Sequence, residues 1–268
     1  MASAAAEFRF RGWTPRQPGQ LFTAAVFGAS GSVGRRLVAH LVRVPACRRI
    51  VLLNRRHVAD LPPDARIEQH QVDMDALHDA TLAALASGSG TPSPSAADAD
   101  ADAGATVAFV LAGIGAPSSA SKDELFRVDV LLPSEFGRAC RAAGASHALL
   151  LTSVGADANA AWSPITRSGA GGGWYFHCKG QVEQNFLKMG FDSVSAVRPS
   201  TLVGSPNTPS WVPFVQSAID WALPARFNRI DVDNLAAAFV SQSQRALDRQ
   251  LTRDTLNVLE GKELFDSI

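Results

Sequence analysis

The stretch Val26-Phe27-Gly28-Ala29-Ser30-Gly31-Ser32-Val33-Gly34 decides the fold of this chain. An apolar run from Thr23 to Phe27 leads into three glycines spaced three apart, and an amphipathic pattern from Arg35 to Val42 follows at once. This order predicts a strand, a tight turn and a helix. Glycine is needed in such a turn because the dihedral angles are unusual and because a Cβ would keep a phosphate away from the backbone.

The glycine turn predicts a nucleotide-binding site. The free N–H groups at a helix N-terminus carry a partial positive charge and can bind a pyrophosphate. A glycine triplet alone is a weak signal, with a closely packed loop as the alternative, but here the strand and helix that the motif needs are both present. We therefore expect nucleotide contacts from residues Gly28, Ser30, Gly31, Ser32, Val33 and Gly34.

The end of the second predicted strand indicates which dinucleotide is bound. In NAD-binding folds an acid about 20 positions after the glycines bonds the ribose 2′-hydroxyl, whereas an arginine accommodates the 2′-phosphate of NADP. Arg55 lies 21 positions after Gly34, with Arg56 beside it. The next acid along the chain is Asp60. This pattern favours NADP(H), and the alternative is that the two arginines only solvate the end of a strand.

Composition limits the class of protein. The chain has 268 residues, of which 46% are hydrophobic and 19% charged, so it can build one α/β domain with a large core. Its 25 basic and 25 acidic residues balance, which argues against a nucleic-acid partner. Cys47, Cys140 and Cys178 are too few and too scattered for a disulfide framework or a metal site. No apolar run reaches the length of a membrane span.

Predicted strands alternate with predicted helices along the chain. This alternation indicates an α/β fold with a doubly wound parallel sheet, that is, a Rossmann fold with helices on both faces. We expect a single such domain over residues 21–268, with a small C-terminal substrate lobe at about 202–230. Pro133 lies within a helical pattern from Lys122 to Ala143 and is expected to kink it or to stand near a turn.

Three segments lack a periodic pattern. Residues 1–20 are expected to form a flexible arm. The alternative is a mitochondrial targeting segment, because these residues include three arginines and only one acidic residue. Residues 86–105 are rich in Ser, Gly, Pro, Ala and Asp and are expected to be a solvated loop. Residues 158–173 look like an insertion, and they could form a lid or a surface segment.

Tyr175 and Lys179 form the second motif with chemical content. Residues four apart share one face of a helix, and a lysine ammonium near a phenol lowers the tyrosine pKa from about 10 toward neutrality, which suits the phenol to proton transfer. The chain has one tyrosine and only four lysines, so a lysine four residues after the tyrosine is poorly explained by chance. We expect a catalytic pair, with an ordinary surface pair as the alternative.

Together these motifs resemble the short-chain dehydrogenase/reductase superfamily in its extended or atypical branch. Besides the glycine turn, the chain shows the helical motif Tyr175-x-x-x-Lys179. The other matching features follow the third to sixth predicted strands in turn: Asp73, Ala112-Gly113, Ser153 and Arg198-Pro199-Ser200-Thr201. Within that branch the chain is most similar to the Tat-interacting-protein oxidoreductases. The runs that carry this similarity are Asn54-Arg55-Arg56, Phe126-Arg127-Val128-Asp129, Leu151-Thr152-Ser153-Val154-Gly155-Ala156-Asp157 and Lys179-Gly180-Gln181-Val182-Glu183.

The resemblance implies catalytic roles for three residues. Ser153 would hydrogen-bond the substrate carbonyl, Tyr175 would donate or accept the proton, and Lys179 would hold the nicotinamide ribose. Hydride would pass between the nicotinamide and the carbonyl carbon. Because the cofactor carries that step, the protein's part is to orient and polarise the reactants.

The resemblance also implies further cofactor contacts. Asp73 would face the adenine, Gly113 would lie along the cofactor, and the segment that includes Pro199 and Thr201 would border the nicotinamide. Arg55 and Arg56 would bind the 2′-phosphate. These contacts predict NADP(H) as the bound nucleotide.

The expected function is therefore an NADPH-dependent oxidoreductase that acts on a small carbonyl or alcohol. The alternative is an NADPH-binding regulatory or scaffold protein with little or no turnover, which the resemblance to the Tat-interacting group keeps open, together with a protein partner or a homodimer. A cytoplasmic location is expected, with a mitochondrial one as the alternative.

Overall fold

A parallel β-sheet organises the chain in a computed structural model, which describes residues 20–87, 104–114, 120–160, 173–203 and 230–267. The strands of this sheet are β1 (Phe22–Phe27), β2 (Cys47–Asn54), β3 (Ile67–Gln71), β4 (Ala105–Val110), β5 (His147–Leu151), β6 (Ser193–Arg198) and β9 (Leu256–Glu260). The helices are α1 (Ser32–Leu41), α2 (Leu77–Ala86), α3 (Lys122–Phe126), α4 (Leu132–Ala142), α5 (Gly173–Leu187), α6 (Val232–Leu247) and α7 (Lys262–Asp266).

The seven strands lie in the order β3-β2-β1-β4-β5-β6-β9, and every pairing is parallel. The chain adds β2 and β3 on one side of β1, and β4 and the later strands on the other side. The direction of strand addition therefore reverses between β1 and β4, which are paired with Phe27 opposite Val110. In open α/β sheets the ligand binds outside the carboxyl ends of the strands at this reversal. The prediction of a doubly wound parallel sheet is confirmed.

Helices cover both faces of the sheet, as expected. On one face α1 and α6 bury an apolar stripe that includes Leu37 and Phe239. On the other face α2, α4 and α5 contribute Leu77, Phe136 and Phe186 to a second buried cluster. The strands are apolar almost throughout because both of their faces are covered.

The helical stretch around Pro133 is continuous but irregular. Between α3 and α4 the backbone adopts a π-helical turn over Arg127–Leu131, and Pro133 stands in the first turn of α4. Proline has no N–H to donate to the carbonyl four residues earlier, here that of Asp129, and its ring crowds that carbonyl. The wider π-helical turn relieves this conflict, so the expected disturbance at Pro133 takes the form of a π-turn.

A small second sheet was not foreseen. β7 (Leu202–Val203) pairs in parallel with β8 (Ile230–Asp231), which leads directly into α6. Residues 204–229 of the expected substrate lobe lie outside the described residues. The same holds for residues 1–19 of the expected arm, for 88–103 of the solvated loop and for 161–172 of the insertion.

Within the described ranges, no helix is long and apolar enough to cross a membrane.

Candidate active site

The turn between β1 and α1 packs against the end of β4. Gly28 has a φ of +98°, and a Cβ there would lie 2.3 Å from the backbone nitrogen of Ala112. The carbonyl of Phe27 accepts hydrogen bonds from Leu111 N at 2.8 Å and Ala112 N at 3.1 Å. Gly28 is therefore fixed by contact with β4 as well as by its dihedral angles.

Gly31 and Gly34 differ in their surroundings. A Cβ on Gly34 would lie 2.3 Å from the Gly28 carbonyl oxygen, so Gly34 permits close packing of α1 on the turn. At Gly31 the nearest atom to a Cβ would be the same oxygen at 3.5 Å, an ordinary contact distance. The chain itself leaves room at Gly31. This open cradle at a helix N-terminus, whose first turn carries no acidic side chain, fits a pyrophosphate.

The residues at the end of β2 include one that the sequence reasoning missed. Arg55 and Arg56 are exposed, whereas Asn54 is 5% exposed. Neither the Nδ2 nor the Oδ1 atom of Asn54 has a hydrogen-bond partner within the described part of the chain. A buried amide left unpaired is costly and points to a polar ligand. The signal was present, because Asn54 stands 20 positions after Gly34, where an NAD-binding fold carries its acid.

Asp73 lies at the start of a 3₁₀ turn that precedes α2. It is exposed, and its Oδ1 accepts a hydrogen bond from Asp75 N at 3.0 Å. Its position just after β3 places it at the same sheet edge as the glycine turn.

Beyond β4, Gly113 lies over a buried ion pair. Lys179 Nζ is 2.6 Å from Asp129 Oδ1, and the exposed fractions of the two side chains are 7% and 0%. A Cβ on Gly113 would come within 2.9 Å of Asp129 Oδ1 and 3.2 Å of Lys179 Nζ. Burial opposes the charge on Lys179, but Asp129 and Tyr175 outweigh it and raise the pKa of Lys179. In the sequence, Asp129 stands in the run Phe126-Arg127-Val128-Asp129, and no local pattern predicts its contact with Lys179.

Ser153 follows β5 and is buried, and its Oγ has no hydrogen-bond partner among the described residues. The turn that contains it is held against α5. Asp157 N donates to the Phe176 carbonyl at 3.1 Å, and a Cβ on Gly180 would lie 2.1 Å from Ala158 N. These contacts flank the Tyr175 to Lys179 segment, so they tie Ser153 to that part of α5.

Tyr175 is half-buried on α5, and Lys179 Nζ lies 5.6 Å from the centroid of its ring. The neighbouring His177 stacks on Trp174 with 5.0 Å between ring centroids. Cys178 is fully buried, and burial raises the pKa of its thiol to about 12, so it stays neutral. Tyr175 and Lys179 are thus neighbours on α5, beside a buried thiol that stays protonated.

The segment after β6 completes the sheet edge. Pro199 is buried and its carbonyl accepts a hydrogen bond from Val154 N at 3.1 Å. The carbonyl of Thr201 accepts one from Ile230 N, also at 3.1 Å. Pro199 is therefore joined through its backbone to the turn that carries Ser153.

A buried polar network underlies these turns. Glu183 on α5 accepts a hydrogen bond from Thr152 Oγ1 at 2.7 Å and two from Arg198, at 3.0 and 2.6 Å. Arg198 also pairs with Glu260 at the end of β9, at 3.6 Å. The Glu183 side chain is 3% exposed, so both of its oxygens are satisfied within the protein. This network links β5, α5, β6 and β9 one layer below the site.

The described residues hold no group of three histidine, cysteine or carboxylate side chains arranged for a metal ion. What they bring to one sheet edge is a glycine turn with an open cradle, two unpaired buried polar side chains and a tyrosine–lysine pair. These features define an α/β Rossmann-fold protein with a candidate ligand site at the carboxyl edge of its sheet.

Some known proteins are similar to this chain in sequence. Protein FMP52, mitochondrial, from Candida glabrata is 26% identical over 184 residues, which cover 68% of this chain and 64% of that protein. The chain thus spans somewhat less than two thirds of that relative's length. No protein-family model matches the chain.

Two solved structures share the fold. Bordetella bronchiseptica WbmG in complex with NAD has a TM-score of 0.59 and 15% identity, covering 95% of this chain and 78% of its own. An oxidoreductase of the short chain dehydrogenase/reductase family from Burkholderia thailandensis has a TM-score of 0.57 and 17% identity, covering 91% and 93%. At such identities the likeness establishes the fold.

Proposed function

We propose that the chain is an oxidoreductase of the short-chain dehydrogenase/reductase type that binds NADP(H) and interconverts a small carbonyl compound and its alcohol. The observation that carries this proposal is the unpaired, buried hydroxyl of Ser153 in a turn tied to the Tyr175 and Lys179 segment. A buried hydroxyl without a partner is suited to receive a ligand oxygen. The WbmG complex with NAD and the Burkholderia thailandensis family name support a nicotinamide cofactor.

The cofactor would lie along the carboxyl edge of the sheet. Gly28, Gly31 and the first turn of α1 would hold the pyrophosphate, and Gly113 and Lys179 would meet the nicotinamide half. Asn54 would bond the adenosine ribose through its unpaired amide, while the exposed guanidinium groups of Arg55 and Arg56 would hold the 2′-phosphate that distinguishes NADP from NAD. Asp73 would face the adenine, and Pro199 and Thr201 would border the nicotinamide.

When bound, NADPH would supply the hydride that reduces the carbonyl carbon. Ser153 Oγ donates a hydrogen bond that holds and polarises the carbonyl oxygen. Tyr175 Oη transfers its proton to that oxygen, and the alcohol forms. Lys179, charged and fixed by Asp129, lies beside the phenol and holds the ribose. The Tyr175 phenolate that is left then takes up a proton from solvent, and alcohol oxidation runs through the same groups in reverse.

The proposal extends to location. The first relative is named a mitochondrial protein, which supports the mitochondrial alternative over the cytoplasmic expectation. A fluorescent fusion at the C-terminus of the full chain tests this: overlap with a mitochondrial marker is expected, and a diffuse cytoplasmic signal would reject it.

The function is tested by combining cofactor titration with a turnover assay. NADPH should bind more tightly than NADH, and carbonyl compounds from a broad panel should oxidise NADPH. Tyr175→Phe should lower the turnover number by about 10²- to 10⁴-fold, the range of general acid catalysis, while NADPH binding changes by less than about threefold. His177→Phe, which keeps a ring beside Trp174, serves as the control and should retain turnover.

Two results would contradict the proposal. Absence of NADPH and NADH binding would remove the nucleotide site. Binding without turnover of any carbonyl or alcohol would favour the regulatory or scaffold function instead.

A further inference from the structure

Asp129 is a buried carboxylate at the heart of the candidate site. Its Oδ1 lies 2.6 Å from Lys179 Nζ, and its Oδ2 accepts a hydrogen bond from the backbone nitrogen of Ile114 at 3.2 Å. The Asp129 side chain is fully buried, and that of Lys179 is 7% exposed. Two charges removed from water in this way are stable only as a pair, because either one alone would carry an uncompensated desolvation cost.

The backbone at Asp129 is specialised. The residue lies in the π-helical turn between α3 and α4, and the missing N–H of Pro133 leaves the Asp129 carbonyl without its usual α-helical donor. π-Helical turns occur mostly as short insertions, often at functional sites. Here the turn buries Asp129 and Val130 against α5, where Lys179 also lies.

The groups that face the pair come from two further elements. Gly113, just after β4, lies over both charged atoms and leaves no room for a Cβ. On α5 the Tyr175 ring lies 5.6 Å from Lys179 Nζ, and Cys178 has a thiol whose pKa is raised by burial and further by Asp129. Asp129 is the acidic group nearest to the ammonium among these neighbours.

We propose that Asp129 is a positioning residue, whose carboxylate holds the Lys179 ammonium charged and in place for its contacts with Tyr175 and the cofactor ribose. The proposal rests on the proposed function for what Lys179 then does. Without the carboxylate, burial would favour loss of the Lys179 proton or movement of its side chain toward solvent. Asp129 thus acts on the reaction through Lys179 and needs no contact with the substrate.

Direct titration of Lys179 tests the proposal without cofactor or substrate. The ¹³Cε and ¹⁵Nζ signals of the ligand-free protein are followed with pH, and Lys179 is assigned by its loss in Lys179→Met. The wild-type Lys179 should titrate above the ordinary lysine value of 10.5, as its raised pKa indicates. In Asp129→Asn its pKa should fall by more than about one unit, a tenfold change in the protonation equilibrium.

Three results would overturn the proposal. One is a wild-type Lys179 whose measured pKa is 10.5 or lower. That measurement uses the wild type alone, so it does not depend on any variant folding. Another is an unchanged Lys179 titration in folded Asp129→Asn. The third is a shift of the same size in Glu68→Gln, a control that removes a carboxylate from the remote 2.6 Å pair with Arg49.

A double-mutant cycle then asks whether Asp129 acts through Lys179. The readouts are the NADPH dissociation constant and, if turnover is found, kcat and KM. Asp129→Asn should weaken NADPH binding by about tenfold, the effect of losing one charge-assisted hydrogen bond, and should cause no further loss when added to Lys179→Met. Full additivity would contradict the proposal. If the wild type binds no NADPH, the proposed function fails, while the Lys179 titration still decides the role of Asp129.

Discussion

Gly180 of α5 lies in direct backbone contact with Ala158: a Cβ at residue 180 would stand 2.1 Å from the Ala158 nitrogen. This contact joins the turn after β5, which carries Ser153, to the helix that carries Tyr175 and Lys179. The turn and the helix are thereby held against each other at one glycine.

Gly180→Ala should therefore damage both stability and the site. Because backbone atoms cannot rotate away as a side chain can, α5 and the turn must separate, and the free energy of unfolding should fall by about 1–3 kcal/mol, as in overpacked cores. Urea denaturation measures this loss. Gly31→Ala is the control, since its Cβ would meet nothing nearer than 3.5 Å. Equal stability of the Gly180 and Gly31 variants would contradict the contact.

The two glycines of the first turn should separate binding from stability. Gly31 has φ −72° and ψ 167°, which alanine adopts freely, so Gly31→Ala should fold with a stability change of at most about 1 kcal/mol. Its methyl group would occupy the pyrophosphate cradle, and NADPH affinity should fall by about tenfold or more, about 1.4 kcal/mol. Gly34→Ala should instead lower stability, since its Cβ would lie 2.3 Å from the Gly28 oxygen. Isothermal titration measures NADPH affinity and urea denaturation measures stability in both variants. Unchanged NADPH binding by folded Gly31→Ala would contradict the assignment of Gly31 to pyrophosphate binding.

The arginines after β2 should set the preference for NADPH. Replacing Arg55 and Arg56 together by alanine should weaken NADPH binding by about 10- to 100-fold, because charge-assisted phosphate contacts are lost. NADH affinity should stay within about twofold, and stability should change by less than about 0.5 kcal/mol, since both side chains are exposed. Arg48→Ala, an exposed arginine at the opposite end of the same strand, is the control. Parallel losses for NADPH and NADH would refute the assignment.

His147 should make the fold sensitive to mild acid. It is buried between β5 and β6, where its Nδ1 lies 2.9 Å from Ser193 Oγ, and burial lowers its pKa below the ordinary 6.5. The unfolded chain therefore takes up the proton more readily than the folded one. The stability contributed by neutral His147 is fully present above pH 6.5 and is lost as the pH falls through the lower, folded-state value.

The measurement is the urea midpoint at a pH above 6.5 and at one well below it. Wild type should lose more stability on acidification than His147→Gln, which cannot take up this proton. His78→Gln removes a partly exposed histidine from α2 and should lose as much stability as wild type when the pH is lowered. The same pH dependence in all three proteins would exclude His147 as the cause.

The fold was largely predictable because its signals are local. The glycine turn, the alternation of apolar strands with amphipathic helices, and Pro133 each act within a few residues, and each had the expected effect. The order of the strands in the sheet depends on contacts between distant segments, and so does the pairing of β7 with β8. Neither could be read from periodicity.

Residues of the candidate site could be predicted where they belong to a sequence motif. Residues that join the site only through contacts in the folded chain could not. The spacing of Tyr175 and Lys179 indicates that they share a helix face. Asp129 lies 50 positions before Lys179 and contacts it only because α5 packs against the π-helical turn. Asn54 shows the opposite case. Its position after the glycines was informative, but its importance depends on burial without a partner, which only the folded chain reveals.

The network around Glu183 has a consequence for redesigning this protein. Thr152 and Arg198, which Glu183 joins, stand immediately before Ser153 and Pro199. Libraries that aim to alter ligand binding at this edge should therefore vary residues after these anchors and leave positions 152, 183 and 198 intact. A change to any of these three residues would disturb the turns that carry Ser153 and Pro199 together, so the candidate site and the free energy of unfolding would change at once.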